Sequence, residues 1–177
     1  MMSDKELAEG MILDIEDMDA ILDQFISFMR DGSEEHLEPT DLNQILSEVA
    51  AQFAAQAEVV FHPEPLPEVP LKRLAVKRLV GNLVNNALRY GKGPIELAAT
   101  EGRGEVCLTV RDHGDGIDES RIPELLQPFV RGESARTSQG SGLGLAIVAR
   151  IVTLHRGALT LRNLPEGGLE AVVRLPL

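Results

Sequence analysis

Apolar residues recur through the first thirty positions at intervals that only a helix gathers onto one side. Leu7, Met11, Ile15, Met18, Leu22, Phe25 and Met29 are spaced 4, 4, 3, 4, 3 and 4. From Met11 the strict alternation is that of a coiled-coil seam. Asp14, Glu16, Asp17, Asp19 and Asp23 occupy the other faces, and no Gly or Pro interrupts between Met11 and Arg30. Gly32 supplies a helix stop. So narrow a stripe must pack on the rest of the chain or on another chain, and the pattern does not say which. After a polar connector, Asp31 to Thr40, the positions Leu42, Ile45, Leu46, Val49 and Phe53 predict a second amphipathic helix. Asp41 and Gln44 stand in capping-box spacing at its start.

Val59 to His62 predicts a short strand, and Pro63, Pro65, Pro67 and Pro70 an extended connector, since proline suits neither a helix interior nor a central strand. A third helix is predicted from about Leu71 to Tyr90. Ile95–Thr100 and Glu105–Asp112 read as a hairpin around Gly102-Arg103-Gly104. Val106, Leu108 and Val110 share one face of its second strand, with Cys107 on the other, read as a small buried hydrophobe. Ile122–Phe129 suggests a short helix, Val130–Gly142 a polar segment without periodicity, and Leu143–His155 a last helix. Ala158–Asn163 and Glu170–Leu175 form a second strand pair around Pro165-Glu166-Gly167-Gly168. Helices laid on mostly hairpin-connected strands predict an α/β two-layer sandwich.

At 177 residues the chain suits one domain with a short appendage. Its single cysteine excludes an internal disulfide framework and a cysteine-cluster metal site. No apolar run approaches the ~18 residues of a membrane span, and the polar, acidic start is unlike a secretory signal. The chain as given therefore reads as soluble and intracellular. The net charge of −11 is unevenly placed: residues 1–70 hold 17 Asp/Glu against two Lys/Arg, and residues 71–177 hold 11 against 15. The acidic part argues against a nucleic-acid partner. The basic part suits a small anion, although a solvated surface accounts for either charge balance equally.

Three stretches carry candidate chemistry. Asn82, Asn85 and Asn86 sit inside the third helix, where each Asn costs roughly 0.6 kcal/mol against Ala. Asn82 and Asn86 are i, i+4, so both amide oxygens project from one face, with Arg78 and Arg89 a turn to either side and Lys77 nearby. Neutral oxygens beside cations suit a Mg2+ whose remaining ligands are phosphate and water. Asp112-His113-Gly114-Asp115-Gly116-Ile117 ends a strand; its glycines permit close approach of a ligand, and Asp112 can accept from an exocyclic amine. Gly140-Ser141-Gly142-Leu143-Gly144-Leu145 opens a helix whose free N–H groups form an anion cradle. It is neither the dinucleotide fingerprint nor a P-loop. Taken singly, each has a plain structural account: solvent-facing asparagines, an Asp-Gly turn, a flexible glycine loop.

Their joint presence and order resemble the catalytic ATP-binding domain of sensor histidine kinases, the GHKL or Bergerat-fold ATPases. Asn82-Leu83-Val84-Asn85-Asn86-Ala87 is similar to the N box, Asp112-x-Gly114-x-Gly116 to the G1 box, and Gly140-x-Gly142-Leu143-Gly144-Leu145 to the G2 box. Gln127-Pro128-Phe129-Val130-Arg131-Gly132 stands where the F box belongs, with Leu126 at a position often Phe. The runs Asn86-Ala87-x-Arg89-Tyr90-Gly91 and Gly142-Leu143-Gly144-Leu145-Ala146-Ile147-Val148 look like the EnvZ-type subfamily. The likeness covers residues 39–177, read as the catalytic domain. Residues 1–31 resemble the second helix of the dimerisation and phosphoacceptor hairpin.

The resemblance implies roles. Asp112 would bind the adenine amine, with Tyr90 and Ile117 lining the ring and Gly114 and Gly116 shaping the loop. Asn86, with Asn82, would reach Mg2+ and phosphate. Arg89, Arg131 and Arg136 would offset phosphate charge; Val130–Gly142 would be a lid, with Gly140, Gly142, Leu143, Gly144 and Leu145 at its phosphate-contacting hinge. The implied cofactors are ATP and Mg2+. The implied partners are a response regulator of the EnvZ/OmpR type and a second copy through residues 1–30, with no nucleic acid and no membrane contact by this piece. The implied setting is the cytoplasmic portion of a bacterial inner-membrane sensor. None of His36, His62, His113 and His155 has the acidic neighbour and arginine of the family's phosphoacceptor, so the chain reads as a piece of a longer kinase. The rival reading is a hydrolytic or clamp ATPase on the same fold. Those enzymes carry a glutamate base where this sequence has Asn82, and a neutral amide takes no proton from water. A bare interaction module, the third reading, leaves the three boxes unexplained.

Overall fold

Asp41 takes extended backbone, and its Oδ1 accepts from the N–H of Asn43 (2.9 Å) and Gln44 (3.4 Å). That cap starts helix α1, Leu42–Phe53, on the aspartate half of the expected box alone. The five apolar positions read from the sequence are all buried. The computed structural model describes residues 34–129 and 142–177, with positions 11, 12, 15, 18, 19, 22, 23, 25, 26, 29 and 32. Further along the chain come the α-helices α2 (Arg73–Tyr90), the single turn α3 (Ile122–Leu125) and α4 (Gly144–Leu154).

Strands β1 (Glu38–Thr40), β2 (Val59–His62), β3 (Val69–Leu71), β4 (Ile95–Gly102), β5 (Glu105–Arg111), β6 (Ala158–Asn163) and β7 (Leu169–Pro176) form two sheets. The main sheet runs β2-β4-β5-β7-β6; β2 is parallel to β4 and every other pairing is antiparallel. Arg103 and Gly104 both take positive φ between β4 and β5, the form whose twist suits a two-residue hairpin. Alternate residues Val106, Leu108 and Val110 of β5, and Ala171, Val173 and Leu175 of β7, are buried in one core with α1, α2 and α4. The two-layer α/β sandwich expected from the pattern is the observed architecture.

Several boundaries differ from the expectation. The connectors 31–40 and 63–70 are not wholly irregular: β1 and β3 pair as a small ribbon with Pro39 opposite Pro70. Neither proline has an N–H to give, and in a two-stranded ribbon no third strand asks for one. Leu71 belongs to β3, so α2 begins at Arg73 instead of Leu71. The helix expected over Ile122–Phe129 stops at Leu125, and Phe129 takes φ 65. Cys107 is half-buried on the open face of the sheet, beside Glu105 Oε1 at 3.8 Å, and is not the buried hydrophobe expected. Desolvation and the Glu105 carboxylate push its thiol pKa up.

At the N-terminal end, every described residue from Met11 to Met29 is helical and exposed, Met11, Ile15, Met18, Leu22, Phe25 and Met29 among them. Among the described residues nothing covers the stripe there. Leu7 lies outside the described residues.

Candidate functional site

Helix α2 is the wall shared by the three candidate stretches. Asn82 Nδ2 donates to the Arg78 carbonyl one turn back (2.9 Å), which turns Oδ1 the other way. A methyl placed on Gly144, the first residue of α4, would lie 3.5 Å from Asn82 Oδ1 and 3.3 Å from Asn86 Oδ1. The i, i+4 asparagines therefore aim both oxygens at the start of α4. Asn85 faces solvent. Leu143, fully buried, anchors that helix start, and its apolar side chain gives the first turn no cap; the N–H groups of such a turn suit an anion. Gly142 takes φ 71 just before it, and Leu145 packs against the core. Arg131, Arg136, Gly140 and residues 130–141 of the expected lid lie outside the described residues. Arg89 and Tyr90 are exposed in the last turn of α2. Lys77 does not join the asparagine face: its Nζ sits 2.8 Å from Glu48 Oε2, and Arg73 holds the other carboxylate oxygen at 2.5 Å. Lys77 and Arg73 together keep the Glu48 carboxyl below its ordinary pKa.

One turn beyond Asn86, the same helix meets the strand-end turn. Asp112 follows β5 and is buried. Its N–H donates to the Leu169 carbonyl (3.0 Å), and its Oδ1 accepts from Gly114 N–H (2.8 Å) and Leu169 N–H (3.3 Å). Oδ1 holds the loop, while Oδ2 has no hydrogen-bond partner among the described residues. Close packing fixes this placement. A methyl on Gly91 would come within 2.5 Å of Asp112 Cγ, and one on Gly114 within 2.7 Å of Gly91 Cα. Gly168, at φ 105, leaves no room either: its methyl would sit 1.9 Å from the Asp112 carbonyl oxygen. Lys92 closes the rim, 3.0 Å from Asp115.

Of the expected pair, Tyr90 comes to the loop through its carbonyl oxygen, 3.0 Å from where a methyl on Gly114 would lie, and Ile117 is held through Asn163 (2.8 Å from its N–H). Gly91, Gly168 and Asn163 were not among the sequence candidates. Gly91 stood in view beside Tyr90 at a helix end. The contacts of Gly168 and Asn163 cross more than forty residues and leave no local signal.

Beside the loop, Glu170 is nearly inaccessible between Arg111 (2.7 Å) and Arg162. Burial alone would raise its pKa, but the two guanidinium hydrogen bonds outweigh that and hold it below the ordinary value. His155 is structural. Its Nε2 accepts the Lys72 N–H (3.0 Å) and its Nδ1 donates to the Ile151 carbonyl (2.8 Å), tying α2 to α4. His36 and His62 are exposed, and His113 pairs with Glu96 at 2.8 Å.

Residues 72–177, which contain all of these elements, match the family of histidine kinase-, DNA gyrase B- and HSP90-like ATPases. Over 136 residues the chain is 37% identical to the sensor histidine kinase component HK1 of Mycobacterium tuberculosis, covering 76% of this chain and 81% of that protein. The chain belongs to the sensor histidine kinase family. Its ATPase domain has the GHKL (Bergerat) fold: the NMR structure of the histidine kinase domain of the Escherichia coli osmosensor EnvZ matches this kinase domain with a TM-score of 0.62 at 42% identity, over 82% of the chain and 92% of that domain. The likeness extends to the N-terminal helix, since the chain is 33% identical over 99% of its length to the sensor histidine kinase GtrS of Pseudomonas aeruginosa. The chain spans 37% of GtrS. No helix among the described residues of this kinase domain is long and apolar enough to cross a membrane.

Proposed function

We propose that the cleft along α2 binds ATP and presents its γ-phosphoryl group to a histidine on a separate hairpin helix, from which the group passes to an aspartate of a response regulator. The observation that carries this reading is the buried Asp112. One oxygen is fixed by two backbone N–H groups and the other has no partner among the described residues, an acceptor set for an exocyclic amine. Tyr90 and Ile117 line the adenine ring. Asn86, with Asn82, holds Mg2+, which offsets phosphate charge when bound. Two neutral amide oxygens converging on a helix start fit a cation that keeps phosphate and water as its other ligands. No cluster of three His, Cys, Asp or Glu among the described residues offers a rival metal site. Arg89, Arg131 and Arg136 counter phosphate charge.

For phosphoryl transfer the protein's part is positioning and charge. Asn82 in place of a glutamate base disfavours water as the acceptor, which supports transfer over hydrolysis. The exposed stripe from Met11 to Met29 supports a division into residues 1–31, half of a hairpin that dimerises with a second copy, and the catalytic domain 39–177. The regulator is of the EnvZ/OmpR type, and the whole kinase sits at a bacterial inner membrane with this part in the cytoplasm.

Calorimetric titration with an ATP analogue, with and without Mg2+, tests the site. Affinity between about micromolar and millimolar is expected. Asp112→Asn replaces a charged double acceptor by one acceptor and a misplaced donor, and should weaken binding roughly tenfold to a hundredfold. Unchanged affinity in a folded Asp112→Asn chain overturns the adenine assignment. Asn86→Ala should reduce Mg2+-dependent binding, and transfer to a supplied hairpin domain, more than metal-free binding.

A further inference from the structure

The loop from Asp112 to Ile117 is braced at both ends by the β6–β7 hairpin, and the second brace is a single side chain. Asn163 is the last residue of β6, at the edge of the main sheet. Its Oδ1 accepts the Ile117 N–H at 2.8 Å and its Nδ2 donates to the Ile117 carbonyl at 2.7 Å. One amide thus brackets one residue from both sides, as a neighbouring strand would. Its own main-chain N–H, on the outer edge of the sheet, donates to Glu119 Oε1 at 3.3 Å. Gly116 fits beneath it only because it has no side chain: at φ 76, a methyl there would lie 2.3 Å from Asn163 Oδ1. At the loop's other end, Gly168 packs on the Asp112 carbonyl. Asn163 is exposed, so its amide has water available and bonds Ile117 instead. Ile117 is only partly buried, packed against the margin of the core.

We propose that Asn163 is a positioning residue of the nucleotide site: its amide holds the Ile117 main chain, and through it the Gly114–Ile117 segment, in the shape that receives the adenine ring. The inference rests on the assignment of Asp112 and Ile117 to adenine. Asn163 touches Ile117 and not the nucleotide. The loss on its removal should therefore fall on the base end of the ligand and spare the metal and phosphates.

The test is calorimetric titration of the full chain with ADP, with and without Mg2+, together with amide hydrogen exchange at Ile117. Asn163→Ala should bind ADP about tenfold more weakly, or ~1.4 kcal/mol. The ratio of affinities with and without Mg2+ should stay as in the unaltered chain, and the Ile117 amide should exchange about tenfold faster. Asn163→Asp keeps the acceptor for the Ile117 N–H and should restore slow exchange there. Gly116→Ala, which keeps Asn163 but drives a methyl against it, should reproduce the loss of ADP affinity, and it decides the matter if Asn163→Ala does not fold. Normal ADP affinity in either folded alanine variant overturns the proposal, as does a loss that appears only with Mg2+. An unaltered chain that binds no ADP would instead overturn the adenine site itself, and this inference with it.

Discussion

Helix α1 and the helical residues between Met11 and Met29 have the same kind of apolar spacing and opposite fates. Leu42, Ile45, Leu46 and Val49 are wholly buried, whereas Met11, Ile15, Met18 and Leu22 are each more than half exposed. Periodicity fixes which face of a helix is apolar; it carries no information about the surface that covers that face. For α1 the cover is in the same chain, from α2 and the β2–β4 edge of the sheet. For the N-terminal stripe it is a proposed second copy. Two stripes of the same kind therefore predict different responses to truncation to alanine. Leu46→Ala should cost about 2–5 kcal/mol of domain stability through lost burial and a cavity. Met18→Ala should change it by less than about 0.5 kcal/mol while shifting sedimentation toward the monomer. Equal losses in denaturant melts of the two variants would erase the contrast.

Acid should act on the domain through Glu170. Its folded pKa lies below the ordinary value because Arg111 and Arg162 hold the charged form. The stabilisation is therefore present above the unfolded pKa of about 4.3 and lost as pH falls through the folded one. Glu170→Gln should lower stability near neutral pH by about 1–3 kcal/mol, discounted for the exposure of both arginines. The same change should flatten the melting profile below pH ~4. A variant whose acid profile parallels the unaltered chain would show that Glu170 is not the group involved.

The sequence is most legible where structure is local. The strand Val59–His62 was read to the residue, as was Ala158–Asn163, because short apolar runs between turn residues have few alternatives. The N-box asparagines were legible as a conflict with helix propensity, and their shared face follows from i, i+4 spacing alone. The β1–β3 ribbon was not legible: Pro39 and Pro70 argue against strand, and only their pairing with each other makes one. The packing of Gly91 and Gly168 against Asp112 and the Asn163 bracket are contacts between distant segments that no window of the chain contains.

A smaller loss than that at Glu170 is expected at the joint between the two regions compared. Lys72, the residue before α2, gives that helix no side-chain cap, so its first N–H groups need another partner. Glu35 supplies it from the connector: its Oε1 accepts from the Leu74 N–H at 2.6 Å and its Oε2 from the Ala75 N–H at 3.0 Å. Lys72 Nζ in turn donates to the Gly32 carbonyl (2.8 Å) and to that of Glu35. The segment that leaves the exposed helix is thus fastened to the start of the helix that carries Asn82 and Asn86. A carboxylate at a helix N-terminus also meets the positive end of the helix dipole. Glu35→Ala should therefore destabilise the domain by about 1 kcal/mol, the usual worth of a cap, while Glu35→Gln keeps one acceptor and should lose about half as much. A chain cut to residues 39–177 lacks the cap, the two carbonyls bonded to Lys72 and the first residue of β1, and should be less stable than the full chain by at least as much as Glu35→Ala. Differential scanning calorimetry of the four proteins decides it. If the cut chain melts with the full one, the joint adds nothing to the domain, and the two regions are connected by the peptide alone.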